Sequence, residues 1–180
     1  MTEEEFLEKN ARMVYNLSLR LMGNPVDAED LAQDSLIRAL KALPAFRGES
    51  MTTTWMYRIT VNTWKNRVRT EKRRGLWKML PLHLFFGDDS EDRDRERALP
   101  ADEPPLDAGL ESAETSAAVQ KALMSLDDES RAVVVLREIE GFSYQQIAET
   151  LSIPEGTVKS RLSRARDALK RRLKSLAGAA

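Results

Sequence analysis

Between Thr157 and Arg166 the side chains able to hydrogen-bond a base edge or a phosphate recur at helical spacing. Thr157, Lys159, Ser160, Arg161, Ser163, Arg164 and Arg166 interleave with Val158, Leu162 and Ala165, and the apolar stripe continues through Leu169 and Leu173. A stripe at intervals of three and four turns one helix face inward and leaves the polar set facing out. Short polar residues followed by repeated cations suit the DNA major groove, where Arg or Lys donates to guanine and Ser approaches either base type. The early residues are the expected readers. From Arg166 onward, through Lys170, Arg171, Arg172 and Lys174, the expected contact is phosphate, or simply raised local potential.

Such a helix must be held by its neighbours. Ser143 and Gln146 have the spacing of a capping box, and Tyr144, Ile147, Ala148 and Leu151 form the stripe of a short preceding helix. Pro154 disfavours helical geometry at Ile153, Gly156 permits a tight approach, and Thr157 is placed to cap the outward-facing helix. Two further helices precede this pair, about Leu110 to Met124 and about Asp128 to Glu140. The second packs Ala132, Val135, Leu136 and Ile139 and ends at Gly141. The arrangement is a helix-turn-helix on a small helical domain.

A second cluster lies upstream. A helix from about Thr52 to Arg74 combines Trp55, Tyr57, Ile59, Val61, Trp64 and Val68 with a run of cations including Lys65 and Arg69. Rings that stack on exposed bases, with cations along the backbone, suit single-stranded nucleic acid. For Trp55 and Ile59, one turn apart, the core is the competing destination. Two helices lead to this one. The first carries Phe6, Met13, Val14, Leu17 and Leu21 and stops at Gly23-Asn24-Pro25. The second, capped by Asp27, sends Ala28, Leu31, Ala32, Ile37 and Leu40 inward until Pro44, leaving Asp30, Gln33 and Asp34 outside. No run shows strand alternation, so the class is all-α.

Net charge is −1, yet residues 1 to 75 carry 13 Lys/Arg against 10 Asp/Glu, 87 to 114 carry 3 against 11, and 115 to 180 carry 11 against 8. Two basic blocks therefore flank an acidic, Pro- and Gly-rich linker, each block able to bury a modest core of its own. The expected division is 1–75, a linker at 76–112 that is apolar and then acidic, and 113–176. The apolar stretch from Leu76 to Phe86 either extends the first domain's core or docks on a partner. Cysteine is absent, and no apolar stretch approaches a membrane span, which points to a reducing cytoplasm.

The segments DAEDLAQDSLIRALKALPAFRGES with TTTWMYRITVNTWKNRVRTEKRR, and LDDESRAVVVLREIEGFSYQQIAETLSIPEGTVKSRLSRARDALKRRL, resemble regions 2 and 4 of bacterial sigma factors of the extracytoplasmic-function type. The resemblance implies two helical domains that bind core RNA polymerase, through its clamp helices and flap, and direct it to promoters. It implies that Thr157, Lys159, Ser160, Arg161, Ser163, Arg164 and Arg166 read the minus-35 element as duplex. Phe46, Arg47, Ser50, Met51, Trp55, Asn62, Lys65 and Arg69 would read the minus-10 element as a separated strand. Asp27, Asp30, Gln33 and Asp34 would grip the polymerase, although a solvated helix start accounts nearly as well for Asp27 and Asp30. An anti-sigma factor is an implied partner. Many relatives carry an aromatic residue where this chain has Met51-Thr52-Thr53-Thr54, which leaves the captured base open.

Other classes predict other features. A sigma-like decoy would sequester an anti-sigma factor without touching DNA, and the basic helix argues against it. A one-component regulator would use its N-terminal block for a ligand or for dimerisation. An enzyme has the least support: His83 is the sole histidine and no Cys is present, so neither a metal centre nor a His-dependent triad can be assembled, and although composition leaves Ser-Lys or paired-carboxylate chemistry open, nothing at a suggestive spacing supports either. No cofactor and no small-molecule substrate are expected.

Overall fold

The computed structural model describes residues 2–46, 52–79 and 110–177. Among these residues the chain is all helix: α1 Glu3–Met22, α2 Pro25–Ala42 followed by a short 3₁₀ turn Leu43–Ala45, α3 Thr52–Met79, α4 Leu110–Met124, α5 Asp128–Val134, α6 Tyr144–Leu151 and α7 Glu155–Ala177. None of these helices is long and apolar enough to cross a membrane.

Local chemistry sets most boundaries. Thr2 and Glu5 close a capping box on α1, and Gly23, in the left-handed region at φ 84°, ends it. Asn24 caps α2, its side chain accepting from the Asp27 N–H, with Pro25 in the first helical position. The cap expected at Asp27 thus lies three residues earlier, because Pro25 needs no amide partner at that position. Asp127 caps α5 by accepting from the Ser130 N–H. The π-helical segment Val135–Ile139 continues α5, and Gly141 at φ 72° redirects the chain. The predicted Ser143–Gln146 capping box is present on α6, and Ser152, at φ 56°, terminates that helix.

The two blocks share one core, and the N-terminal block also keeps a smaller one of its own. One cluster joins Leu17, Leu21, Leu31, Tyr57, Val61 and Trp64 of the N-terminal block to Leu123, Val133, Leu136, Phe142, Ile147, Leu151 and Leu162 of the C-terminal block. A smaller cluster of Phe6, Val14, Ala32, Ala39 and Met56 lies within the first three helices. Buried Arg131 stitches the blocks together. Its guanidinium donates to the carbonyls of Leu21 (2.8 Å), Leu123 (3.2 Å) and Leu126 (3.0 Å), which belong to the end of α1 and the α4–α5 turn. Its planar fork places donors on three separate nitrogens, one for each acceptor, where an ammonium would have to reach all three from a single atom.

Ile37 and Ile139, both expected inside, are exposed at 50% and 36%. Each sits at an edge of its helical stripe, where the neighbouring elements do not reach. The α3 helix runs five residues beyond the predicted Arg74, ending at Met79; the rest of the apolar stretch, Leu80 to Phe86, and the acidic run Asp88 to Glu96 lie outside the described residues.

Candidate nucleic-acid interface

The helix-turn-helix is built by α6, the Ser152–Pro154 turn and α7. Val158, Leu162 and Ala165 are buried against α5 and α6, which fixes the rotation of α7 and turns Lys159, Ser160, Ser163 and Arg164 to solvent. Helix α7 begins at Glu155, two residues before the expected cap, so Thr157 lies inside its first turn and donates its N–H to the Pro154 carbonyl. A side chain at Gly156 would meet open space, so the turn does not require glycine there; the tight geometry is carried by Ser152 in the left-handed region.

The cations of α7 differ in how firmly they are held. Lys159 pairs with Glu155 at 3.0 Å and lies 5.6 Å from the Tyr144 ring centroid, while Arg137 covers the same ring at 4.8 Å. This arrangement holds Lys159 over the turn. Arg164 donates to the Ser160 carbonyl at 3.3 Å, with no carboxylate opposite it among the described residues. Arg166 is bound in a fork to Glu138 at 2.6 and 3.0 Å. Arg161 is not outward-facing: its side chain is 23% exposed and bonds Glu129 at 2.6 Å, at the rim of a cleft between the two blocks.

The second candidate surface lies on α3 and the segment before it. Phe46 stacks on Trp55 with ring centroids 4.8 Å apart, and Trp55 in turn meets Phe6 edge-on at 6.2 Å. Trp55 and Ile59 are half-buried against the small core, the destination expected for them as core residues, and each keeps part of its surface exposed. Asn62, seven residues after Trp55, shares its face. It is exposed in a shallow groove lined by Arg38, Lys41, Ile59 and Asn66. Arg69 continues that face and is exposed, whereas Lys65 is turned toward the C-terminal block and donates to the Leu151 carbonyl at 2.7 Å. Burial pushes the Lys65 ammonium below its ordinary range, and Arg69 and Arg161 push the same way against Glu129. Arg47, Ser50 and Met51 lie outside the described residues.

On α2, Asp30, Gln33 and Asp34 are exposed together, and Ile37 completes their stripe. Asp27 differs: it bonds Arg67 of α3 at 2.8 Å and accepts from Asn24, so it is partly spent inside the fold. Sequence reasoning placed Ile37 in the core, although its spacing of seven, four and three from Asp30, Gln33 and Asp34 was the available signal. It also missed Glu140, which accepts from Arg20 of α1 at 2.6 Å and from the Tyr57 hydroxyl of α3. Among the described residues no group of His, Cys, Asp or Glu could hold a metal ion.

This geometry has known counterparts. Residues 6–74 match the family model described as Sigma-70 region 2, and residues 116–169 match Sigma-70, region 4. The chain is 36% identical over 168 residues to the RNA polymerase sigma-H factor of Pseudomonas aeruginosa, covering 93% of this chain and 84% of that protein. It is 33% identical over 165 residues to the sigma factor SigW of Bacillus subtilis, covering 91% and 84%. Among solved structures it is similar to the sigma factor RpoE of Bartonella quintana, crystallised in complex with the anti-sigma factor NepR. That match has a TM-score of 0.67 and 26% identity, covering 95% of this chain and 96% of that one.

Proposed function

The chain belongs to the extracytoplasmic-function sigma factors of the sigma-70 family, and from that premise we propose that it directs promoter-specific initiation by splitting recognition between two surfaces. The face of α7 formed by Lys159, Ser160, Ser163 and Arg164 reads the minus-35 element as duplex, with Thr157 supporting it from the turn and Arg166 from the phosphate side; Arg161, held by Glu129 at the inter-block cleft, is left out of that face. Phe46, Trp55, Asn62, Lys65 and Arg69, with Arg47, Ser50 and Met51, hold the minus-10 element as a separated strand. The exposed α2 stripe engages the clamp helices of core RNA polymerase, and the C-terminal block meets the flap. Residues 1–75 and 113–176 are the two working domains, and 76–112 is their tether. The protein works in the cytoplasm without cofactor or catalysis, and an anti-sigma factor restrains it, as NepR is bound to the Bartonella protein.

The observation that carries this reading is the rotation of α7. Three buried apolar residues lock the helix so that its early polar side chains project together, the requirement for reading base edges rather than merely attracting phosphate. The division has an energetic logic as well. Unstacking a base costs a few kcal/mol, which a stacking platform such as Phe46 on Trp55 offsets.

The test is transcription from a pool of promoters randomised at both elements, with purified protein and core polymerase. Specific transcripts should need both components. Failure across the pool would sink the reading and favour a decoy.

A further inference from the structure

Helix α3 carries two parallel stripes where it borders the C-terminal block. Trp64 and Val68 form an apolar one, and Lys65, Arg69 and Arg73, each about one turn after the last, form a cationic one beside it. Along these stripes runs a cleft of about 380 Å³, to which the C-terminal block contributes the apolar side chains of Ala132, Leu151 and Ile153. A volume of this order, an apolar lining and a few convergent charges at a seam between two blocks are the usual features of a small-ligand site.

The charges decide which ligand. Five cations and two carboxylates line the cleft, but the carboxylates are already engaged. Asp128 pairs with Lys72 at 2.7 Å, and Glu129 with Arg161 at 2.6 Å. Lys65, Arg69 and Arg73 are left without an ion-pair partner among the described residues, and Lys65 has only the Leu151 carbonyl, at 2.7 Å. Burial, and then Arg69 and Arg161 against the pull of Glu129, hold the Lys65 ammonium below its ordinary range, so positive charge is in surplus here. Guanidinium groups one turn apart present planar forks that bind a carboxylate or a phosphate through paired hydrogen bonds. The cationic stripe spans about 12 Å along the helix, with hydrocarbon beside it throughout. A bare inorganic anion would leave that hydrocarbon uncovered. A neutral apolar body would leave the cations unpaired, and a nucleobase would bring polar edges to a lining that offers them few partners.

We propose that this cleft is a binding site for a small amphipathic anion, an apolar body bearing one carboxylate or phosphate head, with the body against Val68 and Ile153 above Trp64 and the head held by Arg69 and Arg73. The site does not depend on the promoter-reading assignments given above. Lys65 and Arg69 belong also to the proposed strand surface, whereas Arg73 does not, and the test therefore turns on Arg73. Because the ligand touches both blocks, its binding stabilises the folded chain.

Isothermal titration calorimetry on the full-length protein, at pH 7 and fixed ionic strength, compares 2-naphthyl phosphate and 2-naphthoate with inorganic phosphate and with uncharged 2-naphthol. At least one of the two amphiphiles should saturate at one per chain and raise the melting temperature, and the tighter of them identifies the head group. Inorganic phosphate and 2-naphthol should each bind at least about tenfold more weakly, since each makes only half of the contacts. Arg73→Gln should weaken the amphiphile about tenfold or more. Arg74→Gln makes the same change in charge at the next residue, which lines the groove between α2 and α3 instead, and should leave binding unchanged. Both arginines are exposed, so both variants should keep the wild-type circular dichroism. Absence of saturable binding by either amphiphile overturns the site. Inorganic phosphate binding as tightly reduces it to a charged patch, and 2-naphthol binding as tightly reduces it to an apolar one; either result overturns the proposal. Equal losses in Arg73→Gln and Arg74→Gln mean that general charge, not this cleft, holds the ligand, and overturn it as well.

Discussion

Arg131 holds the two helical blocks together through a single guanidinium, and replacing it with Met should cost more stability than any surface substitution in the chain. Methionine keeps the apolar stem but removes all three donations. The Leu123 carbonyl retains the Leu126 N–H at 3.1 Å, whereas the carbonyls of Leu21 and Leu126 have no other donor among the described residues. Leaving a buried acceptor unsatisfied costs about 1–3 kcal/mol. Two such groups give roughly 3–4 kcal/mol, in line with the ~3–5 kcal/mol for breaking buried charged networks. For a chain of this size that lowers the melting temperature by about 10 °C. Burial presses the Arg131 guanidinium below its ordinary range, against the pull of Asp128 and Asp127, so Arg131→Lys should recover only part of the loss. Urea denaturation followed by circular dichroism measures the difference directly. A cost below about 1 kcal/mol for Arg131→Met would refute the claim that this side chain joins the blocks, because two orphaned carbonyls cannot be so cheap.

Other outcomes follow from single contacts. Burial acts to raise the Asp127 carboxyl, but the donations from the Ser130 N–H and hydroxyl outweigh it and hold the group below the usual carboxylate range. Its contribution is therefore complete above that range and is lost as pH falls through the depressed value. Asp127→Ala should cost about 1 kcal/mol at neutral pH, while Asp127→Asn keeps the cap and flattens this part of the acid limb in denaturation curves. A Cβ on Gly23, at φ 84°, would meet the Met124 sulfur at 2.5 Å. Gly23→Ala should lose about 1–2 kcal/mol from left-handed strain alone, and adding Met124→Ala should not restore wild-type stability in thermal melts. Ile37→Asp should weaken association with core polymerase about tenfold or more in a pull-down titration, with unfolding shifted by less than about 0.5 kcal/mol because the residue is half exposed.

Where local chemistry decides structure, the sequence was readable. The Ser143–Gln146 capping box, the stop at Gly141 and the inward turn of Val158, Leu162 and Ala165 all depend on residues within one or two helical turns of each other. Errors appeared where distant contacts decide. Arg161 has the same periodicity as its outward neighbours and is drawn inward only because Glu129 lies opposite. Lys65 belongs to a run of cations and is diverted by a carbonyl 86 residues away. Glu140 and Arg131 look like ordinary charges on an amphipathic helix, and nothing near them in the chain reveals Tyr57 or the Leu21 carbonyl. A cap displaced by proline, at Asn24 rather than Asp27, was a local signal misread.

The central claim is that recognition is split between α7 and α3, and it is tested most directly by randomised-promoter transcription with two variants, Arg164→Ala and Asn62→Ala. Loss of a base-reading arginine costs about 1–3 kcal/mol at its own position and relaxes preference there. The account predicts that Arg164→Ala broadens the selected bases only in the upstream element and Asn62→Ala only in the downstream one, each leaving the other sharp. If both variants blur both elements, or lower yield without changing the selected bases, these side chains serve general affinity and the bipartite assignment is contradicted.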